Sequence, residues 1–476
     1  MKDTLGFCKI KRKTAGFRPI PERIKDYLEV DLLPTIEHSE EQALRCMDCG
    51  TPFCHFGCPL GNYIPEWNEL ISRKQWFKAY QLLSSTNNLP EITGRLCPGL
   101  CEFSCTLDIN DESVTIRENE LSIIEYAFKN DYISFKNSVR YKRKKIAIIG
   151  SGPAGLSCAD ELNKLGYKVI VFERENKYGG ILRYGVPNFK LEKWVLDRRL
   201  EILKKQGIEF LCGIEVGKDI TLKKIQKEFD AIVLAAGCEV PRDLNIEGRE
   251  LKGIYFALDY LNQINKISMC EKILQTDLIV AKNKNVVIIG GGDTGSDCVG
   301  SANRQGAKKI IQLEILPKPS TTRPFDTPWP KYPVVLKTTT SHQEGVERYW
   351  QVLTKKFIGD KNRNVKKLLC SKVEVTKDVH GIIKIKEIPY TEFEIEADLV
   401  IIALGFIHTK HNNLIKELNL ELDEKGNVKT DKNYMTKVKG IFSTGDMHRG
   451  QSLIVWAIKE ARDTAYWVDK YLAKIR

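Results

Sequence analysis

Of the fourteen cysteines in this 476-residue chain, seven lie between Cys46 and Cys105 and the rest stand singly. The seven read Cys46-x2-Cys49-x4-Cys54-x3-Cys58-Pro59, then Cys97-Pro98-x2-Cys101-x3-Cys105. Thiolates spaced this closely bind soft metals, and the Cys-x3-Cys-Pro ending points to ferredoxin-type iron–sulfur ligation ahead of a zinc ribbon. Zinc, which needs sets of four and accepts a histidine such as His55, is the alternative. Disulfides suit a secreted chain, and this sequence starts without a secretory signal. In two-cluster ferredoxins the fourth cysteine of such a run serves the other cluster. That rule predicts Cys58 with Cys97, Cys101 and Cys105. Cys46, Cys49 and Cys54 are then one ligand short, with Cys8, His55 or a carboxylate to fill the place.

Two glycine loops offer a second chemistry. The first is Gly150-Ser151-Gly152-Pro153-Ala154-Gly155, with Glu173 closing the next strand. Gly150 allows the tight turn, Gly152 lets backbone approach a pyrophosphate, Gly155 permits close helix–strand packing, and Glu173 can accept from ribose hydroxyls. The second is Gly290-Gly291-Gly292-Asp293-Thr294-Gly295, with Glu314 near the end of its second strand. One such loop is weak on its own; here each has strand, helix and terminal acid in place. Two dinucleotides on one chain point to a tightly held flavin and an exchangeable nicotinamide, because hydride transfer needs the two rings face to face. A carboxylate at Glu314 favours NADH over NADPH, although Lys308, Lys309, Lys318 and Arg323 stand near enough to receive a phosphate.

These sites need a scaffold, and the residue pattern supplies one of α/β class. Residues 1–142 read as an irregular, mostly helical domain, with helical patterns from Ile64 to Leu83 and from Val114 to Phe128. Apolar Ile146-Ala147-Ile148-Ile149 then opens a βαβ unit, and Asn285 to Ile289 opens another. Gly440-Ile441-Phe442-Ser443-Thr444-Gly445-Asp446 reads as a return to the first unit. The expected division is a helical iron–sulfur domain at 1–142, FAD domain at 143–283, NAD(P)H domain at 284–397, and FAD domain resumed at 398–476. The two Rossmann-like domains are thus interleaved. Ala235-Ala236-Gly237 and Ala403-Leu404-Gly405 read as their strand-end glycines.

Net charge is +12, with the densest basic run at Tyr141-Lys142-Arg143-Lys144-Lys145. Its place before a strand suits a solvated linker better than a nucleic-acid patch. No apolar stretch is long enough to span a bilayer. With no secretory or lipidation signal, the expected location is cytoplasmic, or an organelle interior.

Three signatures align with one family: the cysteine block within Arg45-Cys46-Met47-Asp48-Cys49-Gly50, the segment Gly179-Gly180-Ile181-Leu182-Arg183-Tyr184-Gly185-Val186-Pro187-Asn188-Phe189-Lys190-Leu191, and Gly445-Asp446 followed by Gly450-Gln451-Ser452-Leu453. From Gly16-Phe17-Arg18-Pro19 to Trp456-Ala457-Ile458 the chain resembles the glutamate synthase small (beta) subunit family. It also resembles the electron-input region of dihydropyrimidine dehydrogenase and the large subunit of ferredoxin-NADP transhydrogenases. The resemblance implies FAD, two 4Fe–4S clusters and NADH or NADPH as substrate. It places Gly180, Leu182, Asn188, Lys190, Gly237, Gly445, Asp446 and Ser452 at the flavin. In Val114-Thr115-Ile116-Arg117-Glu118-Asn119-Glu120 it makes Glu120 the missing ligand beside Cys46, Cys49 and Cys54. Arg117-Glu118-Asn119 departs from the usual pattern, and Pro328-Trp329-Pro330 marks one branch of the family.

The implied activity is electron input: hydride from the nicotinamide to the flavin, then single electrons through the clusters, with no catalytic side chain required. A large subunit carrying glutaminase and FMN/iron–sulfur synthase domains would form L-glutamate from L-glutamine and 2-oxoglutarate. The rival readings are an electron-transfer subunit for another acceptor, such as ferredoxin, sulfur species or a pyrimidine, and a structural protein without turnover.

Overall fold

The computed structural model of the chain describes residues 5–133, 142–273, 278–378 and 383–474. Met1 to Thr4 at the expected leaderless start and Tyr141 of the basic run lie outside the described residues.

The N-terminal region is helical. Its longer helices are Ile36–Ala43, Ile64–Ser72, Trp76–Thr86, Pro90–Leu96 and Ile116–Lys129. Pro65 and Pro90 stand in first turns, where a missing N–H leaves nothing unpaired. The expected run from Ile64 to Leu83 is two helices, because Lys74 turns with φ +59° between them. Ile64, Trp67, Ile71, Leu83 and Ile123 share one buried core, and each such aliphatic side chain contributes roughly 1.5–3 kcal/mol by leaving water. Helices Pro90–Leu96 and Ile116–Lys129 meet at Gly94, where a Cβ would stand 2.9 Å from that of Leu121. Only glycine allows this approach.

Two parallel sheets follow, their central strands buried on both faces as in parallel sheets generally. The first orders Ile441–Ser443, Ala231–Leu234, Lys145–Ile149, Lys168–Phe172 and Glu209–Leu211. The second orders Ile254–Phe256, Leu399–Ile402, Asn285–Ile289, Lys309–Glu314 and Glu347–Trp350. Ile441–Ser443 completes the first sheet from the far end of the chain, so the second sheet lies within the sequence of the first. The second sheet is nevertheless wider than residues 284–397. It takes Ile254–Phe256 from before that span and Leu399–Ile402 from after it, and the latter is a central strand pairing with Asn285–Ile289. An apolar strand in a parallel sheet carries no mark of which sheet owns it, which is why spacing misplaced these edges.

An antiparallel sheet of Val352–Gly359, Val365–Lys377, Ile383–Glu387 and Phe393–Glu396 attaches to the second unit. The C-terminal helix Ile454–Lys474 lays Ile458, Ala461, Ala465 and Leu472 against the core of the first sheet.

The segment 17–31 crosses all three units. Val30 N–H donates to the Phe189 carbonyl at 2.9 Å, and Arg95 pairs with Glu29 at 2.6 Å. Arg23 pairs with Glu344 at 2.8 Å, and the same carboxylate takes Arg304 at 2.6 Å, with all three side chains at most 2% exposed.

Candidate functional site

The first glycine loop does what its spacing requires. Gly150 has φ +106°, and a Cβ there would sit 2.4 Å from the Ala235 carbonyl oxygen. A Cβ on Gly155 would sit 2.0 Å from the Gly150 carbonyl oxygen. At Gly152 an added Cβ meets nothing within 4 Å, so the backbone there faces open space. Gly152 caps helix Pro153–Lys164 with no side-chain partner, leaving first-turn N–H groups for a phosphate. Glu173 is buried; its Oε2 accepts from the Ser151 N–H at 3.1 Å and its Oε1 from the Glu175 N–H at 3.0 Å. The strand-end acid therefore also braces the loop.

These residues wall a cleft of about 700 Å³. Gly150, Ser151, Gly152, Pro153, Ala154, Glu173, Gly180, Gly237, Asp446 and Ser452 line it, and so do Asp293 and Thr294 from the second loop. The cleft thus opens to both dinucleotide units. The buried hydroxyl of Thr444, on the cleft wall, has no protein partner. A dinucleotide fits this combination of open glycine backbone, uncapped helix start and unmatched polar lining. Asp446 accepts from the Ser452 hydroxyl at 2.6 Å, and burial pushes its carboxyl up to about 6.

Other expected residues stand behind the cleft. Gly445, at φ +63°, is where the strand end packs on Ala154. Leu182 is fully buried in the core of the first sheet. Asn188 donates to the Tyr27 carbonyl at 2.9 Å and accepts from Lys193 N–H at 3.1 Å, tying segments together. Lys190 is ion-paired with Asp297. Asp297, which spacing did not single out, does line the cleft, one helical turn beyond Asp293.

The second loop repeats the first. Gly290 has φ +126° with its Cβ position 2.3 Å from the Ala403 carbonyl oxygen, Gly295 abuts the Gly290 carbonyl, and Gly292 is open. Glu314 Oε2 accepts from the Gly291 N–H at 2.8 Å, and Oε1 from the Leu316 N–H at 3.0 Å. Behind the loop, Gln312 donates to the Gly290 carbonyl at 2.9 Å and bonds His342 Nε2 at 2.9 Å.

The thiols gather in two groups, and the partition differs from the ferredoxin rule. Cys46, Cys49, Cys54 and Cys105 line one small cavity with Phe53, Ile64, Val114 and Ile116. Burial raises the Cys54 thiol, and the charges of Cys46, Cys105 and Cys49 oppose its ionisation as well. Cys58, Cys97 and Cys101 form the other group, and Glu120 stands with them: burial first, then the nearby charges of these groups, pushes Cys101 well up. Cys105 and Glu120 have thus exchanged places relative to expectation. The reason is three-dimensional. The turn after Leu100–Phe103 carries Cys105 away from Cys101, while the Gly94 crossing brings Glu120 beside Thr93.

Backbone N–H groups aim at the sulfurs: those of Asn62 and Leu60 at Cys58, Gly99 and Leu100 at Cys97, Val114 and Leu107 at Cys105. Burial pushes Cys58 up to about 12 and Cys97 up to about 11. Buried thiols that need a cation to ionise, with N–H donors set on sulfur, fit iron–sulfur ligation. Glu120 is pushed up to about 7 by burial, while it accepts from Thr93 and from Asn87 at 3.0 Å. Cys8 is exposed, and His55 Nε2 accepts from the Ile64 N–H at 3.1 Å. Neither joins the thiols. Among the described residues no group of His, Cys, Asp and Glu is set around a single ion, and no helix is long and apolar enough to cross a membrane.

Comparison with known proteins covers both regions. Residues 144–461 match the family described as pyridine nucleotide-disulphide oxidoreductase, and residues 23–132 match dihydropyrimidine dehydrogenase domain II, 4Fe-4S cluster. In fold, the chain is similar to Mycobacterium tuberculosis FprA in complex with NADPH: TM-score 0.56 at 17% identity, over 70% of this chain and 85% of that one. It is 46% identical to the glutamate synthase (NADPH) small chain of Mycobacterium tuberculosis strain H37Rv, across 99% of this chain and 96% of the relative. It is 42% identical to the Bacillus subtilis small chain, across 98% of each. It is also 42% identical to glutamate synthase (NADH) of Schizosaccharomyces pombe, across 98% of this chain and 22% of that longer protein. Its cofactors are FAD, a nicotinamide dinucleotide and 4Fe–4S clusters, and the chain belongs to the glutamate synthase small-chain family.

Proposed function

We propose that this chain is the electron-input subunit of a glutamate synthase, oxidising a nicotinamide dinucleotide and feeding a large subunit that forms L-glutamate from L-glutamine and 2-oxoglutarate. The observation that carries the reading is one cleft walled by both glycine loops, with Cys58 and Cys97 packed against the core of the first sheet. Bound FAD supplies the link between a two-electron hydride donor and one-electron carriers. The chain's own residues bind and order the parts. Gly152 and the start of helix Pro153–Lys164 hold a pyrophosphate, Glu173 fixes the loop and a ribose, and Asp446 with Ser452 presents a polar edge on the cleft wall. Asp293 and Thr294 bring the second dinucleotide to the same cleft.

Cys58 and Cys97 pack against the core of the first sheet, whereas Cys46 and Cys54 pack only in the helical core. Cys58, Cys97, Cys101 and Glu120 are therefore the inner ligand set, and Cys46, Cys49, Cys54 and Cys105 the outer one. Electrons run from cleft to inner to outer set. Thiolate ligands of this kind belong in a reducing compartment, which supports a cytoplasmic location. Glu314, fixed at its strand end by two backbone donors, accepts a free 2′-hydroxyl and repels a 2′-phosphate, which supports NADH; the relatives' names include both NADPH and NADH.

Anaerobic titration of the purified chain with NADH and NADPH, with iron and acid-labile sulfide counts, is the direct test. Bleaching of flavin and cluster absorption by NADH first is the expected result. Adding a glutamate synthase large subunit then gives NADH-dependent conversion of glutamine and 2-oxoglutarate. Bleaching without conversion would transfer the reading to a different electron acceptor, which the dihydropyrimidine dehydrogenase match accommodates.

A further inference from the structure

Pro328-Trp329-Pro330 lies outside the dinucleotide cleft, and the fold gives it another place. The chain leaving strand Lys309–Glu314 departs from the second sheet and seats on the helical domain. The Trp329 indole N–H donates to the backbone carbonyl of Cys105 at 3.1 Å. Its ring lies 4.6 Å from that of Phe53, which lines the cavity of Cys46, Cys49, Cys54 and Cys105. The contact is pinned on both sides. The Ser104 hydroxyl donates to the Pro330 carbonyl at 2.9 Å, and Arg323 donates to the Phe103 carbonyl at 2.9 Å and pairs with Asp108 at 2.8 Å. Water reaches this flank, since Phe56, whose ring centre is 6.4 Å from that of Phe53, is 78% exposed.

We infer that Trp329 sets the reduction potential of the outer cluster by forming, with Phe53, the apolar cover between its thiol ligands and water. The inference rests on the cluster reading above. Adding an electron to a thiolate-ligated cluster increases its negative charge, and a low-dielectric surrounding disfavours the more charged form. Solvent exposure is one of the established determinants of cluster potential. An aromatic cover therefore holds the potential down, and opening it raises the potential. Trp329 is a positioning residue, since it acts through Phe53 and the Cys105 backbone. The cover belongs to the segment that starts at Glu314, so the nicotinamide unit and the outer cluster's surroundings share one stretch of chain.

The test is an EPR-monitored redox titration of the full-length protein carrying Trp329→Ala, beside Trp329→Phe. Iron and acid-labile sulfide in the wild-type chain are measured first, because their absence would defeat the cluster reading itself. In Trp329→Ala one cluster should become at least tenfold easier to reduce, a shift of 59 mV for one electron, with the other unmoved. Trp329→Phe keeps the ring and should stay within about threefold of wild type. No shift, or equal shifts in both clusters, overturns the inference. If Trp329→Ala fails to retain iron, Trp329→Gln is compared with Trp329→Leu: a higher potential for Gln supports the cover, and equal potentials overturn it.

Discussion

Glu120 owes its position to burial and to two donors, Thr93 and Asn87. On the proposed ligand sets it joins Cys58, Cys97 and Cys101, three sulfurs and one oxygen, against four sulfurs for the other group. Glu120→Ala should therefore remove or alter the EPR signal of one cluster, and that cluster should be the one also lost in Cys101→Ala. If Glu120→Ala instead mimics Cys105→Ala, the partition is wrong. His342 carries a different prediction. Burial, then Arg348 and Lys190, pushes its imidazole down to about 4, against a smaller opposing effect from Asp293. A folded-state value below the unfolded one near 6.5 means the unfolded chain takes up the proton first. The stabilisation is present in full above pH 6.5 and is lost as pH falls toward 4, on the order of 3 kcal/mol. Urea unfolding midpoints of wild type and His342→Gln, measured between pH 7 and 4, should converge as pH drops.

Among the elements, the helix Ile116–Lys129 is positioned by the missing side chain of Gly94. Gly94→Ala places a methyl 3.0 Å from the Leu121 Cα. The helix must move outward, with a destabilisation of about 1–3 kcal/mol typical of overpacking. Because Glu120 precedes Leu121, the same variant should shift the EPR signal that Glu120→Ala shifts and leave the other unchanged. This crossing also shows why the grouping of the thiols and Glu120 was not legible in the chain. The seven cysteines and both glycine loops stand out by type and spacing, whereas Glu120 was reached only through the family resemblance. Which thiol faces which depends on the angle of short helices and a turn, and spacing along the chain carries no such angle. Leu399–Ile402 failed for a related reason: four buried apolar residues name a strand but not its sheet.

For the molecule as a whole, the carboxylate of Glu344 joins the N-terminal segment to the second dinucleotide unit. Its removal in Glu344→Ala leaves the Arg23 and Arg304 guanidiniums buried without their counter-charge, which costs about 3–5 kcal/mol. Thermal unfolding followed by flavin fluorescence should begin at lower temperature, and limited proteolysis should open the segment 17–31. A variant that unfolds as wild type would show that the three units hold together without this junction. The topology was readable at this scale: a first unit interrupted by a second, from two strand–glycine–helix patterns and a terminal Gly-Asp. The Glu344 junction was not, because Arg23 and Glu344 lie 321 positions apart.

That separation has a consequence for how the chain is made. A ribosome delivers residues 17–31 well before Phe189 and Glu344, so this segment can dock on the two dinucleotide units only after both have been made. Until then the helical domain holds its thiols without the strap, and without the Trp329 segment that arrives near position 330. On the nascent chain the thiols are therefore in place before the contacts that flank them, Trp329 to the Cys105 carbonyl and Arg323 to Asp108, can form.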